Sequence, residues 1–161
     1  QHVLDEEYYK RIEAIQFTMN HDDGNQTENI VDSDIILVGV SRTSKTPTSI
    51  YLANKGLKTA NIPLVNEMQI PKDVTETERL CVIGLVTEAE RLFDIRRNRL
   101  SSLKEKEVSD YTDLEKIKIE VEQSKKIFKK NKWPTIDVTR KSVEETAASI
   151  IKIYEIKNKN G

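Results

Sequence analysis

Two kinds of apolar pattern alternate along the chain. Short continuous runs rich in β-branched residues read as buried strands, and longer stretches with an apolar residue every three or four positions read as helices. Ile35 to Val40 is the first long run and Leu80 to Val86 the second, broken only by Gly84. Ile62 to Val65 predicts a shorter strand whose Pro63 suits an edge or a terminal position, and Trp133 to Thr139 predicts the last strand. Leu4, Tyr8, Ile12, Ile15 and Met19 mark the inner face of a helix from about Asp5 to Met19. A short helix closes at Gly56. The capping-box pattern Thr87-Glu88-Ala89-Glu90 starts another that reaches about Leu103. Asp110 to Asn131 gives a helix with Leu114, Ile117, Val121 and Phe128 inward. Ser142-x-x-Glu145 caps a final one facing inward with Val143, Ala147, Ile150, Ile151 and Tyr154. Strands alternating with helices predict an α/β fold, a parallel sheet with helices on both faces. The strand order is not fixed by this pattern.

The polar turn after Val40 holds the first chemistry. Laid on G-x-x-x-x-G-K-[ST], Gly39 takes the first position, Ser44 stands where the second glycine belongs, and Lys45 and Thr46 take the last two. A strand before and a helix after is the arrangement that lets backbone N–H groups and a helix N-terminus cradle phosphate. Gly39, Val40, Ser41, Arg42, Thr43, Ser44, Lys45 and Thr46 are therefore the candidate nucleotide cradle. Lys45 would meet the terminal phosphate, and the Thr46 hydroxyl would join a Mg²⁺ shell. Pro47 falls in the first helical turn, where a missing N–H costs nothing. This loop makes the expected fold kinase-like, with ligand at the C-terminal ends of the strands. A Ser/Thr-rich capped turn is the plainer reading of the same residues.

Three further places carry candidate groups. His21-Asp22-Asp23-Gly24 puts an imidazole and two carboxylates in a glycine-closed turn after the first helix. Phosphoryl transfer to a hydroxyl needs one carboxylate to accept the nucleophile's proton and often another to hold metal, so Asp22 and Asp23 can share those roles, with His21 orienting them. A polar helix end is the alternative. Arg96 interrupts the stripe Leu92, Leu100, Leu103, and an inward guanidinium needs an anion such as a phosphate. Asp137, at the end of an apolar strand, is a third and weaker candidate metal ligand beside Thr46 and Asp22.

Bulk properties narrow the setting. The 161 residues, 37% hydrophobic and 33% charged, suit one domain: a helix and turn over 1–24, then a core over 34–161. The formal net charge of -1 gives no electrostatic case for nucleic acid or an anionic membrane as partner. The lysines crowded between Lys125 and Lys132 read as a solvated face. The single cysteine, Cys81, lies inside an apolar run and reads as a buried, inert thiol. No apolar stretch approaches the roughly 20 residues of a membrane helix. The expected location is cytoplasmic.

VGVSRTSKTPTSIYLANKG, with HDDG upstream and IDVT-x-x-S-x-EETA downstream, resembles the regulatory proteins of pyruvate, phosphate dikinase and phosphoenolpyruvate synthase. The resemblance runs along nearly the whole chain. It implies a bifunctional enzyme: an ADP-dependent serine/threonine kinase acting on a threonine of either target, and a pyrophosphorylase that removes the phosphate with inorganic phosphate. It implies ADP, phosphate and Mg²⁺ as ligands, the dikinase or the synthase as protein substrate, and HDDG as part of the site. It also implies that the chain is the C-terminal phosphate-loop portion of a longer enzyme. A homo-oligomer stays open. An ATP-dependent small-molecule kinase and a nucleotide-sensing module without chemistry remain the alternatives.

Overall fold

The computed structural model describes residues 2–21, 30–40, 43–64, 70, 72–76, 80–101 and 114–160, with backbone alone at 2–5, 31, 73, 96–101 and 159–160. Helix α1 (His2–Asn20) precedes a 3₁₀ turn at Ile30–Asp32 and strand β1 (Ile35–Gly39). Then come α2 (Lys45–Ala53), β2 (Thr59–Pro63), α3 (Lys72–Glu76), β3 (Cys81–Val86), α4 (Ala89–Ser101), α5 (Leu114–Lys130), β4 (Thr135–Asp137) and α6 (Val143–Asn160).

The four strands form one sheet in the order β2-β1-β3-β4, every pair parallel. The expected α/β architecture is thus present, with β1 central and β2, which carries Pro63, at an edge. Parallel strands buried on both faces need apolar side chains on both, which explains why β1 and β3 read as unbroken runs. Ile36, Val38, Val82 and Val86 pack with Val74 of α3 and Phe128 of α5 on one face. Ile35, Leu37, Ile83 and Leu85 pack with Leu52 of α2 and with Ala147 and Ile150 of α6 on the other. A third cluster at the C-terminal edge joins Val40 to Ala89, Leu92, Ile117 and Val121. Gly84 is what lets α5 approach: a Cβ there would lie 2.4 Å from the Phe128 ring.

Several expectations are corrected. The face of α1 that periodicity marks as inner is mostly outside: Tyr8, Ile12 and Met19 are exposed, and Ala14, Thr18 and His21 are buried instead. Edge-strand chemistry explains the exchange, because an edge strand presents backbone donors that need partners. The Thr59 N–H donates to the Thr18 hydroxyl at 3.2 Å, and the Asn61 N–H to the His21 carbonyl at 3.3 Å. An ion pair of 2.6 Å between Lys58 and Glu13 adds a tether and holds the Glu13 carboxyl below its usual range. Helix α4 starts at Ala89, its first bond running from the Leu92 N–H to the Glu88 carbonyl. Thr87 is therefore not its cap; its hydroxyl pairs with Thr139 across the β3–β4 end. Strand β2 begins three residues earlier than expected, β4 is limited to three residues, and α3 had no periodic signal. Residues 102–113, which include Leu103 and Asp110, lie outside the described residues.

Candidate functional site

All strands being parallel, Gly39, Val86 and Asp137 come to one edge of the sheet, where open α/β sheets hold ligands. The turn after β1 is built at that edge. Gly39 admits no side chain: a Cβ would sit 2.8 Å from the Leu85 carbonyl oxygen and 2.9 Å from the Thr43 hydroxyl. The Gly39 carbonyl accepts from the Leu64 N–H at 2.8 Å, fixing the strand end against the segment after β2. Ser44 stands in the left-handed region, φ 62° and ψ 30°. Glycine adopts that conformation without penalty, so the pattern's second glycine has a physical meaning here that serine still fulfils.

Lys45 opens α2 and is 4% exposed. Its ammonium folds back into the turn, donating to the Val40 carbonyl at 2.9 Å and to the Thr43 hydroxyl at 3.4 Å, while that hydroxyl donates to the same carbonyl at 2.9 Å. The turn therefore encloses a positive charge at the C-terminal end of the central strand. Behind it, the Lys45 carbonyl accepts from the Ser49 hydroxyl at 2.7 Å, and Asn61 of β2 donates to Ser49 at 3.2 Å. This relay clamps the first turn of α2 to the edge strand. One turn in, the buried Thr48 hydroxyl has no hydrogen-bond partner among the described residues, an arrangement native interiors seldom keep. The Ser44 side chain makes no cap bond to α2. Thr46 is half-buried beside Lys45, and Ser41 and Arg42 lie outside the described residues.

His21 closes α1. Its Nδ1–H donates to the Phe17 carbonyl at 2.8 Å, since a carbonyl can only accept, and its ring stacks on Phe17 at 4.0 Å between centroids. With its carbonyl accepting from the Asn61 N–H, His21 anchors the C-terminal end of α1 to the edge strand. Asn61 pairs in register with Leu37, two residues or roughly 7 Å before Gly39. Asp22, Asp23 and Gly24 lie outside the described residues. Arg96 falls in α4, whose first turn packs on Val40 through Ala89 and Leu92, but its side chain is also outside the description.

Asp137 ends β4, two strands from β1 and so roughly 10 Å across the sheet. Its Oδ1 accepts from the Thr139 N–H at 2.9 Å and hydroxyl at 2.5 Å. Burial pushes its pKa up, but those two bonds and the charges of Lys125 and Lys141 outweigh it, so the carboxyl stays below its ordinary value. Thr139 has one hydroxyl proton, given to Asp137, so it accepts from the Glu88 N–H at 2.8 Å and from the Thr87 hydroxyl at 3.1 Å. It also joins β4 to the start of α4. The sequence reading passed over this joint, although Asp137-Val138-Thr139 has the Asx-turn spacing that could have pointed to it. A cavity of about 350 Å³, lined by Thr87, Glu88, Lys118, Lys125 and Asp137 among others, opens there. No group of three or more metal-ligating side chains is assembled among the described residues. Cys81 is buried, and its thiol is pushed up to about 11, which leaves it inert as expected. Among the described residues no helix is long and apolar enough to cross a membrane.

A parallel α/β sheet with a strand-glycine-turn-lysine constellation at its C-terminal edge defines the class by fold: an α/β protein whose central strand ends in a turn that encloses a lysine. The family model described as kinase/pyrophosphorylase matches residues 1–151, and the chain belongs to that family. Its relatives carry the provisional name pyruvate, phosphate dikinase regulatory protein. That of Pelagibacter ubique is 67% identical over 162 residues, covering 100% of this chain and 59% of the relative. That of Sphingopyxis alaskensis is 56% identical over 155 residues, 96% of this chain and 57% of the relative. That of Anaplasma marginale is 52% identical over 157 residues, 98% of this chain and 56% of the relative. The chain thus spans a little under three fifths of the length of these relatives.

Proposed function

We propose that this chain carries the nucleotide-binding part of a bifunctional regulatory enzyme acting on pyruvate, phosphate dikinase or phosphoenolpyruvate synthase. The observation that carries the reading is the turn after β1, with Ser44 in the conformation a phosphate-loop glycine would hold and the Lys45 ammonium enclosed beside it. In the forward direction residues 39–46 hold ADP, and the β-phosphoryl group passes to a threonine hydroxyl of the target, leaving AMP. The threonine proton goes to Asp22 or Asp23. Lys45 and Arg96 neutralise charge on the phosphoryl group in flight, the service cations give in phosphoryl transfer. In the reverse direction inorganic phosphate attacks phosphothreonine, the P–O bond to threonine breaks, and pyrophosphate leaves. Mg²⁺ supplies charge neutralisation on the diphosphate when bound. Thr46 in the first turn of α2 and a carboxylate of the HDDG turn are the residues that would hold it, Asp137 standing two strands farther away.

The enzyme works in the cytoplasm under this reading, and family membership together with the names of the relatives supports the reaction pair. The test is transfer of labelled β-phosphate from ADP to the dikinase or the synthase, and phosphate-dependent release of pyrophosphate from the phosphorylated target. Lys45→Ala is expected to abolish both. Retention of wild-type rates in that variant would remove the cradle from the mechanism, and turnover of a small metabolite with ATP alone would replace the reading.

A further inference from the structure

Helix α1 has two faces that both need cover, and among the described residues only one has it. Ala14, Phe17, Thr18 and His21, spaced by three and four, turn toward β2 and α2 and are buried or partly buried. Tyr8, Ile12 and Met19 recur at the same helical spacing on roughly the opposite side, with Ile15 partly buried between them. Tyr8 is 57%, Ile12 36% and Met19 65% exposed. Neighbouring Tyr9 meets Tyr8 edge to face and is exposed too. Isolated exposed apolar residues are ordinary, but a stripe this regular, lying where periodicity marks a buried face, signals an interaction surface.

The comparisons say what is available to cover it. About two fifths of each relative's length lies outside the match to this chain. We propose that the Tyr8–Ile12–Met19 face of α1 is the seat of the polypeptide that forms this unmatched portion in the relatives, packing as one domain against another. This makes α1 a shared wall. Its inner side satisfies the edge strand through Thr18 and His21, and its outer side holds the second body.

Thiol labelling reads this directly, because the one native cysteine is buried. Ile12→Cys and Met19→Cys are made in the 161-residue chain and in the full-length Pelagibacter ubique relative with these 161 residues replacing its matching segment. Labelling at both positions should be at least tenfold slower in the longer protein, while Glu155→Cys on α6, an exposed position, should label equally in both. A second measurement covers poor expression of either cysteine variant: Ile12→Lys combined with Met19→Lys should lower the melting temperature of the longer protein and leave that of the 161-residue chain unchanged. Equal labelling rates in the two proteins would overturn the assignment. So would slow labelling of the short chain that accelerates on dilution, since the occupant would then be a second copy.

Discussion

The molecule contains two strand-turn-helix units that leave the same edge of the sheet and lay their helices on the same face, β1–α2 and β4–α6. Leu52 of one helix and Ala147 and Ile150 of the other share a single core cluster. Their turns differ in what they do with hydrogen-bonding capacity. In the second, the Ser142 N–H donates to the Glu145 carboxylate and the Glu145 N–H to the Ser142 hydroxyl, both at 3.1 Å, a reciprocal box that occupies the helix start with the chain's own groups. In the first, the Ser44 side chain makes no cap bond to α2, Ser44 itself holds a left-handed conformation, and a lysine is folded into the bend. One turn is finished by its own side chains. The other sets a left-handed residue and an enclosed cation at its helix start where the second has a side-chain box, and this contrast, more than the sequence pattern alone, argues for an anion site.

The largest effect should separate the two lysines that stand at these helix starts. Lys45→Ala is expected to weaken ADP binding on the order of 100-fold, about 2.7 kcal/mol, by calorimetric titration. Lys141→Ala should leave it within about twofold, since Lys141 precedes the self-capped helix. If both variants bind alike, the contrast between the turns has no functional content. Next in size is Gly39→Ala. The nearest obstacle to a Cβ is the backbone oxygen of Leu85, which cannot swing away as a side-chain end can, so a loss of about 1–3 kcal/mol in urea unfolding is expected. The Thr43 hydroxyl, the second obstacle, would be pushed off Val40, and ADP affinity should fall with it.

Much of this fold is legible in sequence because burial on both faces of a parallel strand leaves an unambiguous run. Ile35 to Val40 and Leu80 to Val86 name the two central strands, and Ser142 with Glu145 names the last helix start. The failures share a cause, which is that periodicity weighs apolar residues and is blind to polar obligations. Thr18 and His21 face inward because β2 needs acceptors there, and Thr87 leaves its helix because Thr139 needs a donor. The candidate cradle is a string in the sequence, and the structure adds a backbone conformation at its weakest position, the left-handed Ser44. Of HDDG, the structure describes His21 alone, tied to the edge strand through Asn61.

A smaller effect sharpens the self-capped side. Ser142→Ala removes both a cap acceptor and the box geometry and should cost about 1 kcal/mol, with ADP affinity unchanged. Its pH signature follows from Glu145, whose pKa lies below its ordinary 4.5 because of the Ser142 N–H first and the hydroxyl bond second. A depressed carboxyl contributes stability that is present above its unfolded value and lost as pH falls through the folded one. Acid titration should therefore narrow the gap between wild type and variant below that window without closing it, because the Glu145 N–H bond to the Ser142 oxygen does not titrate and the backbone N–H of residue 142 survives the substitution.

The smallest effect is the most discriminating. Ser44→Gly replaces a residue at φ 62° with the one residue that occupies that region freely, recovering about 1 kcal/mol of local strain. Glycine's greater freedom in the unfolded chain returns about 0.5–1 kcal/mol of that. The net change should thus lie between zero and a slight stabilisation in urea titration, with ADP affinity held within about threefold. Ser44→Ala keeps the strain and lacks the hydroxyl, so it should be the less stable of the two variants. If instead Ser44→Gly loses more than about 1 kcal/mol, the Ser44 hydroxyl must be holding the bend, the first turn would be side-chain-supported like the second, and the difference between them would vanish.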